Sequence, residues 1–283
     1  MRYLKLSYAS LNVTNLQKSY EFYKDIVGLL PTEELNEKQA FFTGSDSHYD
    51  LILNQSEQSG LDRVAFEMES ALELSAAFEH LTKLGFNPKE VSKEECNRLK
   101  LNGAFRFKDP NNLIIEFHNG LMEHYGVFKP WPVKIERLGH VVVNTPNFEE
   151  TLKFYTEVLN FKVSDMKYGS KEKVSFAFMR CFPNPYHHSF AVSEDDRNFF
   201  HIAFMVKDID DIGRGINHLK KHNIDISNGP GRHVASGSIF LYFKDPDGQM
   251  VEYTLGMEEF PEHNPRKPRI LDGTPYTSNM WLV

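Results

Sequence analysis

The strongest constraint on this chain is that it repeats itself. Residues 19–30 read SYEFYKDIVGLL and residues 151–162 read TLKFYTEVLNFK; both carry a Phe-Tyr pair, Phe22-Tyr23 and Phe154-Tyr155, offset by 132 positions. DRVAFEM (62–68) matches FHIAFMV (200–206) at an offset of 138, and FKDPNNLIIEF (107–117) matches FKDPDGQMVEY (243–253) at 136. Three matches in the same order at nearly one offset mean a duplicated unit. The stretch 118–136, which holds Pro130 and Pro132, reads as the linker. The expected domains are therefore 1–132 and 133–283, and a chain of 283 residues has room for about two.

Each half divides again. LGHVVVN (138–144) is short and β-branched like a strand, and Thr145-Pro146-Asn147 opens a helix whose apolar face is Phe148, Leu152, Tyr155 and Leu159. Strands are expected at 161–168, 173–181 and 187–192. The last quarter repeats the plan: the strand HIAFMV, a helix over 208–222, then strands at 232–235, 238–244 and 249–254. The unit is βαβββ, used four times.

Composition removes several function classes. There are only two cysteines, Cys96 and Cys181, so the chain is no disulfide scaffold and fits a reducing compartment. No apolar run approaches the roughly 18 residues of a membrane helix, and the N-terminus alternates polar and apolar residues, unlike a signal peptide. A net charge of -7 without a basic block argues against nucleic-acid binding. A soluble, cytoplasmic protein acting on small molecules or other proteins is expected.

With 12 histidines, one in a strand means little, but the repeat supplies a test. His140 corresponds to Tyr8, His201 to Arg63 and Glu252 to Glu116. The second half thus places two histidines and a glutamate at three points where the first places Tyr, Arg and Glu. Two neutral imidazoles and a carboxylate hold a divalent first-row metal and leave positions open, which favours Fe(II), with Mn(II) second. A structural role for the glutamate stays open, because Glu116 is kept where no metal site is expected.

The stretch from Gly231 to Glu252, GRHVASGSIFLYFKDPDGQMVE, resembles the signature of the type I extradiol ring-cleavage dioxygenases (catechol 2,3-dioxygenase-like) of the vicinal-oxygen-chelate superfamily. The matching positions are Gly231, His233, Leu241, Tyr242, Asp245, Pro246, Gly248 and Glu252. The resemblance covers about residues 4–256. It implies an α+β fold of four βαβββ modules forming two tandem vicinal-oxygen-chelate (glyoxalase/bleomycin resistance/dioxygenase) domains, with metal in the second only. It implies metal ligands His140, His201 and Glu252, and catalytic groups His188, His233 and Tyr242. His188 would be proton donor and charge stabiliser for oxygen, His233 would hydrogen-bond a ring oxygen, and Tyr242 would orient the substrate oxygen and stabilise the enolate. The implied reaction uses O2 to cleave a catechol beside its hydroxyls, and a homo-oligomer is expected.

Some residues are less determined. The Asp245-Pro246-Asp247-Gly248 turn folds 238–244 against 249–254, bringing Tyr242 and Glu252 onto neighbouring strands. Phe176, Phe178 and Phe190 are pocket candidates, with His187 on the opposite strand face from His188. Arg180 or Arg232 could meet a substrate carboxylate or be solvated. The tail, 257–283, with Tyr276 and Trp281, could cover the cleft or pack on a neighbouring subunit. Two other readings are a glyoxalase-type isomerase or thiol transferase of the same superfamily, and a metal-free small-molecule binding protein.

Overall fold

A computed structural model of the chain describes residues 1–124, 132–169, 173–197 and 199–282. The first module is β1 (Tyr3–Val13), α1 (Leu16–Glu21) running into a π-helical turn (Phe22–Val27), β2 (Leu30–Pro31), β3 (Gln39–Thr43) and β4 (Leu51–Gln55). The second is β5 (Gly60–Met68), α2 (Ala71–Lys83), β6 (Lys89–Glu90), an extra helix α3 (Lys93–Arg98), β7 (Gly103–Lys108) and β8 (Ile114–Asn119). The third is β9 (Ile135–Thr145), α4 (Phe148–Lys153) with a second π-helical turn (Phe154–Val158), β10 (Lys162–Tyr168), β11 (Val174–Arg180) and β12 (Phe190–Glu194). The fourth is β13 (Phe199–Val206), α5 (Ile209–Lys221), β14 (Ile226–Arg232), β15 (Ile239–Lys244) and β16 (Met250–Leu255). The tail adds β17 (Arg269–Leu271) and α6 (Pro275–Ser278). Four βαβββ modules are thus present. Part of the expected linker, including Pro130, lies outside the described residues.

Modules pair through their first strands. β1 meets β5 and β9 meets β13, both antiparallel. The sheets run β2-β3-β4-β1-β5-β8-β7-β6 and β14-β15-β16-β13-β9-β12-β11-β10-β17. One apolar core passes through both halves: Phe66 of β5 sits edge-on to Phe161 at 5.1 Å and to Phe190 at 6.2 Å. Among the described residues no helix is long and apolar enough to cross a membrane.

Two expected strands are displaced. The strand expected at 187–192 begins at Phe190, so His187 and His188 lie on the approach to β12. Phe190 joins the core rather than the pocket. The strand expected at 232–235 is a turn following β14. Asn228-Gly229-Pro230-Gly231 reads as a turn, yet β14 absorbs it by a register shift against β15: Asn228 pairs with Tyr242 and Gly231 with Phe240.

The repeated motifs meet each other across the halves. Tyr23, on the first π-helical turn, donates to Asp245 Oδ2 at 3.2 Å; Tyr155, on the second, donates to Asp109 Oδ2 at 3.1 Å. Each aspartate opens one of the two Asp-Pro turns and also accepts backbone N–H groups of its own turn, Leu113 at 2.9 Å and Gln249 at 2.8 Å. The turn's last position is left-handed in both copies, at Gly248 (φ 80) and Asn112 (φ 66), and asparagine tolerates that conformation where most residues do not. So the module 1 helix docks on the module 4 turn, and the module 3 helix on the module 2 turn. Tyr23 and Tyr155 are fully buried, and removing either hydroxyl leaves a buried carboxylate short of a donor. Tyr23→Phe and Tyr155→Phe should each cost about 1–2 kcal/mol, read as a lower urea midpoint with unchanged slope.

His118 on β8 is fully buried, and neither ring nitrogen has a hydrogen-bond partner among the described residues. Burial pulls its pKa down to about 4 from 6.5. The unfolded chain therefore binds this proton at a higher pH than the native one does. Stability falls as pH drops from about 6.5 to about 4, by roughly 3 kcal/mol in total from this residue. His118→Leu should flatten that part of the stability–pH curve, measured by denaturation across the window; an unchanged curve would refute it.

Candidate metal centre and active site

Three adjacent strands bring the ligand candidates together. His140 on β9 pairs with Ala203 on β13, and Ala203 pairs with Glu252 on β16. The alanine between them has only a methyl group, so the longer side chains on either side can converge above it. His201, two residues before Ala203, shares its face by the period-two rule. The three residues are buried, and their ligand atoms lie within 4.8 Å of one another, the one such group of three among the described residues. His140 Nε2 is 3.1 Å from His201 Nε2 and 3.1 Å from Glu252 Oε2; His201 Nε2 is 3.0 Å from the same oxygen.

This donor set fits a metal. The near-equilateral triangle is the size of one face of an octahedron with bonds of roughly 2.1 Å. Glu252 Oε1 has no partner among the described residues, although it is fully buried. Burial alone would push the Glu252 carboxyl up; the two imidazoles overcome it and hold the group well below the usual carboxylate range. Burial lowers the His201 pKa, which keeps its imidazole neutral and able to ligate.

The first half fills the same place differently. Tyr8 pairs with Ala65, and Ala65 with Glu116, as His140 does with Ala203 and Glu252. Tyr8 donates to Glu116 Oε1 at 2.5 Å, Arg106 Nε donates to Glu116 Oε2 at 2.6 Å, and Arg63 Nε lies 3.7 Å from the same oxygen. Guanidinium groups of this chain neutralise the buried carboxylate here.

A cavity of about 210 Å³ opens in front of the triad. His140, His201, His188, His233 and Tyr242 line it, so five of the six expected site residues face one space, with Glu252 buried behind. Tyr242 stands directly opposite Glu252 in the β15–β16 ladder. Phe176 and Phe178 form an apolar wall. Arg180 and Arg232 are not in the lining: Arg180 is buried over the Phe260 ring, and Arg232 donates to Gly237 O.

Hydrogen bonds set the tautomers of the two non-ligand histidines. A carbonyl only accepts, so His233 Nδ1 donates to Ser278 O at 2.7 Å. Its Nε2 is then bare and accepts from the Tyr242 hydroxyl at 3.2 Å. Burial lowers the His233 pKa to about 4, so the ring is neutral at neutral pH. Behind His188, His187 Nε2 donates to Asp165 Oδ2 at 2.9 Å. That carboxylate also takes hydrogen bonds from Arg266 and Arg269, and with His187 they hold it below the usual range against the effect of burial. His187 Nδ1 is therefore an acceptor, and His188 Nδ1, 3.1 Å away, donates to it. His188 presents a bare Nε2. The expectation that His187 points away from His188 is thus corrected; both lie in a loop, where strand alternation does not apply.

The tail closes the cavity. β17 adds to β10 in parallel, and α6 follows it, so that Leu271, Thr277 and Ser278 become cavity wall. Gly231 of the Gly-x-His motif lets the tail approach: a Cβ there would meet the Asn279 amide at 2.5 Å. Sequence reasoning missed Lys167, Asn228, the His187–Asp165 pair and this tail contact. Lys167 was within reach, because it pairs with Phe176 across the β10–β11 ladder. The tail had no periodic signal.

The chain's likenesses agree with this geometry. The model of the Glyoxalase/Bleomycin resistance protein/Dioxygenase superfamily matches residues 5–117 and 137–253. The iron-dependent extradiol dioxygenase of Rhodococcus jostii strain RHA1 is 26% identical over 262 residues, 88% of this chain and 87% of that protein. The manganese-dependent 2,3-dihydroxybiphenyl 1,2-dioxygenase of Geobacillus genomosp. 3 is 27% identical, covering 89% and 85%. A crystal structure described as the Mn(II)-bound glyoxalase from Novosphingobium aromaticivorans superposes with a TM-score of 0.86 at 27% identity, covering 100% of this chain and 91% of that one. Two matched segments spanning most of the chain, each with its paired βαβββ modules, show that it belongs to the Glyoxalase/Bleomycin resistance protein/Dioxygenase superfamily.

Proposed function

We propose that the chain is an extradiol dioxygenase, which opens a catechol-type ring with O2 beside the two hydroxyls and yields a semialdehyde or keto acid. The observation that carries this is the buried two-histidine, one-carboxylate triangle, which opens into a cavity walled by His188, His233 and Tyr242. The iron-dependent relative supports Fe(II) as the metal, and the manganese-dependent one supports Mn(II) as second. His140, His201 and Glu252 would hold it. When bound, the metal supplies Lewis acidity toward the diol and redox coupling between ring and oxygen.

The chain's own residues supply position and protons. Phe176 and Phe178 pack the ring and keep water from it. His188, with its bare Nε2, takes up a proton released by the catechol and returns it later. His187 and Asp165 hold His188 in that tautomer and stabilise it when it is charged. His233 accepts from a ring hydroxyl, or from Tyr242 when that site is free. Tyr242 orients the substrate oxygen, and its hydroxyl stabilises the negative charge that develops there. On this reading the chain divides into a metal-free half, 1–132, and a metal-bearing half with the tail, 133–283. Two free cysteines support a cytoplasmic enzyme. Exposed Ile270, Tyr276, Trp281 and Leu282 on the tail support a homo-oligomer, which light scattering would report as a mass above 32.8 kDa. The glyoxalase-type isomerase remains the second reading, favoured by the Novosphingobium structure.

Oxygen consumption separates the two. Protein loaded anaerobically with Fe(II) should consume O2 with catechols, one equivalent per yellow ring-opened product formed. His201→Ala should lose bound iron and all uptake. Iron bound without any uptake would favour the isomerase. His187→Leu should keep its iron but lose kcat by about tenfold and shift the pH profile, because His188 loses its tautomer support; an unchanged profile would remove the role given to His187.

A further inference from the structure

We infer that Lys167 is a specificity-determining residue and that the preferred catechol carries a carboxylate on a ring substituent. This rests on the ring-cleavage reading and names the substrate class it acts on. Lys167 lies on β10, and its side chain is part of the cavity lining. Among the described residues it is the only lysine, arginine, aspartate or glutamate in that lining. Its ammonium sits 3.3 Å from Ser278 Oγ and 5.3 Å from the centre of the Phe176 ring, both cavity walls. Among the described residues no carboxylate lies within ion-pair reach of it.

An ammonium held in a largely apolar cavity without a counter-ion is costly. Burial accordingly pulls its pKa down. What sets Lys167 apart is its place in the wall of a cavity lined largely by apolar and neutral side chains, where water screens a lone charge less than on the surface. A substrate carboxylate would supply the missing partner. A site that leaves a buried charged group unpaired when the wrong ligand binds discriminates strongly against that ligand. The remaining histidines of the wall cannot serve instead. His233 is neutral, and His188 is directed by His187. Lys167 therefore acts on the substituent and leaves the diol to the metal side of the cavity.

The test compares catechols bearing an acetate or propanoate chain, ortho or meta to the diol, with their methyl esters. Anaerobic binding to the iron-loaded protein is followed by calorimetry, and kcat/KM by oxygen uptake. The wild type should favour at least one acid over its ester by about tenfold or more in both readouts. Lys167→Met should lose that preference while its handling of the esters stays within about twofold. Lys167→Arg should restore most of it. Ser278→Ala, which keeps the cation but breaks its link to the tail, should retain the preference. No acid preference in the wild type would overturn the proposal. So would an equal loss on acid and ester in Lys167→Met, or its reproduction by Ser278→Ala, since both would mean that the lysine only tethers the tail. Acid-selective binding without cleavage of any catechol would sustain the role of Lys167 and overturn the ring-cleavage reading instead.

Discussion

A carboxylate removed from water must find positive charge, and this constraint shapes both halves of the chain. Glu252 and Glu116 occupy the same place in their sheets and are both fully buried. In the first half Arg63 and Arg106 satisfy the carboxylate, with Tyr8 adding a hydrogen bond. In the second half two imidazoles approach it, and among the described residues no lysine or arginine does. The charge balance there calls for an external cation. The same strand ladder thus makes an ion-pair plug on one side and, on the other, three converging side chains that could hold a metal. The difference lies in three positions: Tyr8 against His140, Arg63 against His201, and, opposite the glutamate in the hairpin ladder, Arg106 against Tyr242.

The chemistry of the cavity is set from outside it. His188 owes its tautomer to His187 and Asp165, and Asp165 is anchored by Arg266 and Arg269 from the tail. His233 owes its tautomer to the Ser278 carbonyl. Both histidines are thus oriented by a segment that follows the last βαβββ module. The tail is not an appendage of the fold; it completes the polar wiring of the site and supplies one wall.

Much of this was legible in the chain itself, for identifiable reasons. The repeat exposed the module plan because each motif serves the same contact twice. Comparing the copies singled out His140 and His201 because an equivalent position with another chemistry acts as an internal control. Glu252 was harder to read, since its copy is kept for a different purpose. The local signature located His233 and Tyr242, which one hairpin brings to the triad. What escaped depended on long-range register. Lys167 faces the cavity only because β10 pairs with β11 in one register and not its neighbour. The His187–His188 contact depends on a loop, where alternation carries no information. The strand expected at 232–235 failed because Gly229 and Pro230, normally turn residues, lie inside a bulged strand.

The repeated Phe-Tyr and Asp-Pro motifs tie the halves crosswise, module 1 to module 4 and module 3 to module 2. Tyr23 and its acceptor are 222 residues apart. On a ribosome adding roughly 5–20 residues per second, the first helix waits on the order of 10–45 s for the turn it docks on. Throughout that interval the Tyr23 hydroxyl lacks its acceptor, although the Tyr20 and Tyr23 rings can already meet Phe42 of β3. The first module can therefore pack on itself early, but the contact that locks its helix to the second half is among the last that synthesis permits.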